Sequence, residues 1–378
     1  MNFTDHWTLH SWTLSLLSTP STALPSGKHF TAKGIPDIIL HLITALHENT
    51  GARIGVGQKL SSRISTTSGV RQGYILAPIL FCVAIDWIIQ HRSFNPGITV
   101  VSSTFTDLVY ADDTVLLLPS AMDATTSLKS FSDSASRLGL NISWPKTKLQ
   151  NTGSGPKPPD ISVNGNTVES DKSFVYLDGS LQSSDGQCRP DLTCRIGLAC
   201  AVLTSLKRIW SEKRLTLDTK LRIYQTRVLS VLLYATDTWT SLSADVRTLD
   251  AFHQKCLRQL LGIRWYDRVR IEEVLQWTGL TSLSHLLSHR RISVFGHVAW
   301  LDDDTPANVA LQLHINVSLN QPPDRMWLRP PGRPRNKWLD QLRNDSTCPI
   351  GDLWRHAESS HHGGAATRRP SLATRTWW

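Results

Sequence analysis

Two adjacent aspartates, Asp112 and Asp113, stand inside DLVYADDTVLLLPS (107–120), a run that otherwise has the composition of a buried strand. Paired carboxylates repel, and taking them out of water is costly unless positive charge sits beside them. The residues around them read as strand, turn, strand over 104–118, with the acids near the tip of a hairpin. Two readings are open. One is a solvated surface turn. The other is a divalent-metal site, because Mg2+ takes hard oxygen ligands and usually keeps waters or phosphate oxygens. Two such ions can clamp the attacking and leaving oxygens of an in-line displacement. Side chains alternate along a strand, so the two aspartates would not be equivalent. Such a site also needs another carboxylate from a neighbouring strand.

The elements around this run follow from periodicity. GIPDIILHLITALHENTGARI (34–54) carries Ile38, Ile39, Leu42, Ile43 and Leu46 at helical spacing. Residues 52–69 alternate like a hairpin. SGVRQGYILAPILFCVAIDWIIQHR (68–92) runs from a glycine-flanked loop into a helix, with Pro78 placed where a first helical turn tolerates it. A helix is predicted over 124–142 and a hairpin around Asn164-Gly165. From residue 189 the pattern turns helical, with segments at 192–210, 216–239, 244–262, 270–279 and 282–301. Trp210, Trp239 and Trp277 fall inside these and read as core, as does His297.

Charge divides the chain. Residues 1–188 hold 13 Lys and Arg against 14 Asp and Glu, whereas residues 189–378 hold 27 against 17. A basic helical back half suggests a polyanionic partner, against the alternative of an ordinary soluble basic surface. Cys188, Cys194 and Cys200 stand six apart and no CxxC occurs, which argues against a zinc site and for reduced intracellular thiols. The most apolar run, 74–89, contains Pro78 and Asp86 and is too short for a membrane span. The N-terminus makes a poor secretory signal.

Beyond these local readings, an ordered set of strings resembles the reverse transcriptase of non-LTR (LINE-type) retrotransposons. They are GVRQG…LAPILF (69–81), YADD (110–113), GLNISWPKTK (139–148), FVYLDGS (174–180), SVLLYATDTW (230–239), FHQKCLRQLLGIRW (252–265), RRISVFGHVAWL (290–301) and PPGRPRNKWLDQL (330–342). The resemblance implies an α+β fold: a partial right-hand palm, an antiparallel sheet with helices, followed by an all-helical thumb and C-terminal region. It divides the chain into an unmatched, disordered 1–33, palm over 34–188, thumb over 189–265, a basic helical region over 266–345, and a disordered tail over 346–378. Asp112 and Asp113 would hold Mg2+ or Mn2+, and Lys146 would sit near the leaving pyrophosphate. Gly69, Arg71, Gln72 and Gly73 would line the incoming nucleotide and template. Phe174, Tyr176, Leu177 and Gly179 would grip the primer end. The partners implied are an RNA template, a DNA primer and deoxynucleoside triphosphates, inside the nucleus or cytoplasm, with no membrane. No protein partner is predictable.

The chain also departs from that family. The place of an upstream palm strand ending in an aspartate is held by STPSTALPSGKHFTAK (18–33), which has no acidic residue. Tyr74 follows RQG where a small residue is usual, and Asp178 interrupts YLGS. The expectation is an N-terminally truncated copy, an RNA-directed DNA polymerase by descent with impaired turnover. The alternatives are a non-catalytic nucleic-acid-binding remnant, or a reading frame without a stable fold.

Overall fold

The computed structural model describes residues 7–15, 31, 34–47, 51–65, 74–100, 102–152, 156–177, 179–321, 337–346 and 348–362. They divide between Leu177 and Asp178 into two compact units.

The first unit is built on a seven-stranded sheet. Its strands are β1 (Trp7–Ser15), β2 (Asp107–Tyr110), β3 (Asp113–Leu118), β4 (Asn141–Ile142), β5 (Lys148–Thr152), β6 (Ile161–Val163) and β7 (Asn166–Ser170). Their order is β6-β7-β5-β1-β3-β2, with β4 pairing the end of β1. The pairings are antiparallel except β5 with β7. Every residue of β3 after Asp113 is buried. Leu116 and Leu118 share a core with Ile85 and Ile88 of helix Ala77–Gln90 and with Leu128 and Phe131 of helix Ala121–Arg137. Ser120 caps the second helix, its hydroxyl accepting the Asp123 amide at 3.4 Å, which satisfies one of the free first-turn donors. Pro78 lies in the first turn of Ala77–Gln90 as its position predicts. Asn164 and Gly165 both take positive φ, 50° and 79°, between the paired residues Val163 and Asn166. That is the two-residue turn an Asn-Gly pair favours.

The second unit is helical, with one strand, Ser180–Ser183, ahead of its helices. Arg189–Ser205, Leu217–Ile223 with the π turn Tyr224–Leu229 that continues it, Ser243–Leu261, Ile271–Thr278 and the start of Leu283–Ala299 bury Leu192, Leu203, Tyr224, Leu249, Leu257, Val274 and Leu287 in one core. That core crosses the boundary expected at 265. A smaller core joins Phe295, Leu311, Ile315, Leu339, Leu342 and Ile350. Several of the ordered strings meet here as structural ties. Trp239 donates its indole N–H to the buried Asp191 at 2.9 Å. Trp338 donates to the Asp237 carbonyl at 2.8 Å, and Arg291 grips Asp345 through two bonds of 2.6 and 3.0 Å.

Three expectations are corrected. Disorder is predicted at both ends, yet β1 lies inside 1–33 and helix Ile350–His362 inside 346–378. The remainder of those stretches lies outside the described residues. β1 has no helical period and its order comes from pairing with β3 and β5, both more than 90 residues away in the chain. The terminal helix is ordered by Ile350, Leu353, Trp354 and Ala357, one apolar face at helical spacing, packed on the smaller core. Trp277 is 53% exposed and His297 is exposed, because the neighbouring turns of their helices, not these residues, face the core.

Candidate active site

Tyr110 and Asp113 are directly paired, so Ala111 and Asp112 form a two-residue turn between β2 and β3. Ala111 takes φ 51°, a left-handed conformation that costs a non-glycine residue about 1–2 kcal/mol. Strain of that kind persists where surrounding structure over-determines it. Here β3 is clamped on both edges, by β2 and by β1. Asp112 and Asp113 are half-buried at the tip, and Tyr110 beside them is 66% exposed.

The base of the hairpin is fixed by an ion pair that no local signal predicts. Arg92, just beyond the C-terminus of helix Ala77–Gln90, reaches Asp107 at the start of β2 with a 2.9 Å bond. Its side chain is 0% exposed against 17% for Asp107. Burial lowers the Arg92 pKa from its ordinary value, and Asp107 opposes that shift. Thr106 donates a second bond to the same Asp107 oxygen at 2.6 Å. The pair ties the end of the helix to the start of the hairpin.

The strand beside Asp113 is β1, whose Thr13 stands directly opposite it in the register. β1 reads WTLHSWTLS and contains no carboxylate. β1 is one of the two strands paired with β3, the other being β2.

The other predicted site residues are placed as follows. Tyr176 ends strand Ser173–Tyr176 half-buried, and its hydroxyl is pushed above its usual pKa by burial first and by the Asp113 carboxylate second. The structure thus brings Tyr176 and Asp113 into one electrostatic neighbourhood. Phe174 is half-buried on the same strand, and Leu177 follows at φ 48°. Gly179 belongs to the second unit, at φ 152°, and a Cβ there would lie 2.7 Å from the Arg195 guanidinium. Lys146 is exposed on the 3-10 turn Trp144–Lys146, which packs beside β1. Gly69, Arg71, Gln72 and Gly73 lie outside the described residues.

Among the described residues no group of three or more His, Cys, Asp or Glu converges as a metal cluster. Two half-buried carboxylates on a rigid hairpin fit one Mg2+ whose remaining ligands are waters and substrate phosphate oxygens. They do not by themselves furnish the bridging carboxylate set of a two-ion centre. Among the described residues no helix is long and apolar enough to cross a membrane.

Residues 26–178 match the family described as reverse transcriptase (RNA-dependent DNA polymerase). The match begins inside the stretch expected to be unmatched. Residues 202–234 match a domain of unknown function. The chain is similar to a transposon-derived protein of Caenorhabditis elegans, at 24% identity over 256 residues, 65% of this chain and 87% of that protein. It is also similar to the RNA-directed DNA polymerase from the mobile element jockey of Drosophila funebris, at 23% identity over 211 residues, 54% of this chain. It spans 23% of the jockey polymerase's length. The chain resembles a reverse transcriptase of the LINE type.

Proposed function

We propose that this chain is a LINE-type RNA-directed DNA polymerase whose turnover is limited because, among the described residues, no third carboxylate joins Asp112 and Asp113. In this reading Asp112 and Asp113 would hold Mg2+ or Mn2+, and the bound cation would supply positive charge to an incoming triphosphate and its departing pyrophosphate. Lys146 stands near that leaving group as a cation. Gly69, Arg71, Gln72 and Gly73 line template and nucleotide, and Phe174, Tyr176 and Leu177 hold the primer end. The basic helical unit holds the RNA–DNA duplex by its backbone, inside the nucleus or cytoplasm. The observation that carries the proposal is the register of β1, which sets Thr13 against Asp113 on a strand without an acid. Positioning of reacting groups can account for about 7–11 kcal/mol of a barrier, so a misplaced primer hydroxyl is enough to make turnover slow.

The same observation favours a second reading, a nucleic-acid-binding remnant without catalysis. Primer extension on poly(rA)/oligo(dT) with Mg2+ or Mn2+ separates the two. Weak incorporation that Asp112→Asn abolishes supports the polymerase. Duplex binding with no incorporation by the unaltered chain supports the remnant.

A further inference from the structure

We infer that the loop Ile263–Arg270 in the helical unit is a docking platform for an unpaired base of single-stranded nucleic acid, with Tyr266 as the stacking surface. The inference rests on the reading of this chain as a nucleic-acid-handling protein and adds a site for the unpaired strand. The loop follows helix Ser243–Leu261, which Gly262 ends at φ 73°. It is pinned at both ends by one side chain and its backbone. The Arg258 carbonyl accepts the Ile263 amide at 2.9 Å, and the Arg258 guanidinium donates to the Val269 carbonyl at 2.6 Å. Between these ties, Trp265–Asp267 form a 3-10 turn and Arg268 takes a left-handed φ of 50°. An aromatic ring is thereby held out on a fixed frame: Tyr266 is 51% exposed. The Arg264 guanidinium lies 5.7 Å from the centre of its ring and donates to its hydroxyl at 2.5 Å.

The loop that carries the ring also carries exposed cations. Arg264, Arg268 and Arg270 are all exposed. Two carboxylates of the loop and the next helix are turned to backbone amides: Asp267 accepts from Arg264 N–H at 2.6 Å, and Glu273 from Arg270 N–H at 3.3 Å. Among the described residues none of the three guanidinium groups forms an ion pair. Glu272 is exposed on the first turn of the next helix and opposes them in charge. An exposed aromatic ring on a loop with three exposed arginines matches a base that has left its helix, because stacking needs a free base face and cations follow a strand's phosphates. A duplex offers no such face except at its ends.

The test is equilibrium binding of the full chain to a labelled single-stranded oligo(rA) and to an RNA–DNA duplex of equal length. Tyr266→Ala is expected to weaken single-strand binding roughly 5- to 100-fold, the range of one aromatic–base stack, with duplex affinity changed less than about twofold. Tyr266→Trp is expected to retain it, which separates stacking from general damage to the loop. Unchanged single-strand affinity in Tyr266→Ala, or equal losses on both probes, overturns the platform and leaves the polymerase reading standing. An unaltered chain that binds neither probe overturns both.

Discussion

Arg92 and Asp107 form the pair on which the geometry of the candidate site rests. With the arginine side chain 0% exposed, removing one partner leaves a charge in low dielectric without compensation. Arg92→Met is therefore expected to lower the unfolding free energy of the full chain by about 3–5 kcal/mol in urea titration. Replacing both residues together, Arg92→Met with Asp107→Leu, should recover part of that loss, since an apolar pair carries no desolvation cost. This pair was not legible in the sequence. Its members lie 15 residues apart, one after a helix and one at the start of a strand, and neither position carries a local pattern. The two aspartates of the tip were legible, because adjacent acids in an apolar run have few places to go but a turn. Thr13 was half legible: the absence of an acid upstream can be read directly, but the register that sets Thr13 against Asp113 exists only once β1 is paired.

At the scale of elements, the helices announce themselves and the central strand does not. Gly262 and Gly279 end their helices in the left-handed conformation that glycine permits, and the apolar spacing between those stops marks the buried faces. What the spacing does not reveal is the π turn over Tyr224–Leu229. That turn begins at Tyr224, whose hydroxyl bonds the His253 ring at 2.8 Å in the core of the helical unit. His253 is 1% exposed, and burial pulls its pKa down to about 4. The sign of the consequence follows. The unfolded chain takes up a proton as pH falls through about 6.5, while the folded form stays neutral until about 4. Stability is therefore lost between those values and levels off below them, by on the order of 3 kcal/mol from this residue. Thermal melts across pH 4–7 should show a transition that falls with acid, and His253→Phe should flatten that part of the profile.

For the whole molecule, charge and chemistry divide between the two units. The sheet unit carries the carboxylate hairpin, and the basic excess lies after residue 188. If the helical unit holds nucleic acid by its phosphates, affinity should fall by orders of magnitude between 50 and 200 mM salt, linearly in log–log form. A flat salt response would remove the electrostatic account. The function of the sheet unit turns on whether the hairpin is a metal and nucleotide site short of one ligand. The most direct measurement is Mg2+-dependent incorporation by Thr13→Asp, which sets a carboxylate at the register position opposite Asp113. Incorporation on poly(rA)/oligo(dT) should rise at least tenfold over the unaltered chain and vanish again when Asp112→Asn is added. No gain in a folded Thr13→Asp protein, or a gain that survives Asp112→Asn, would contradict the account.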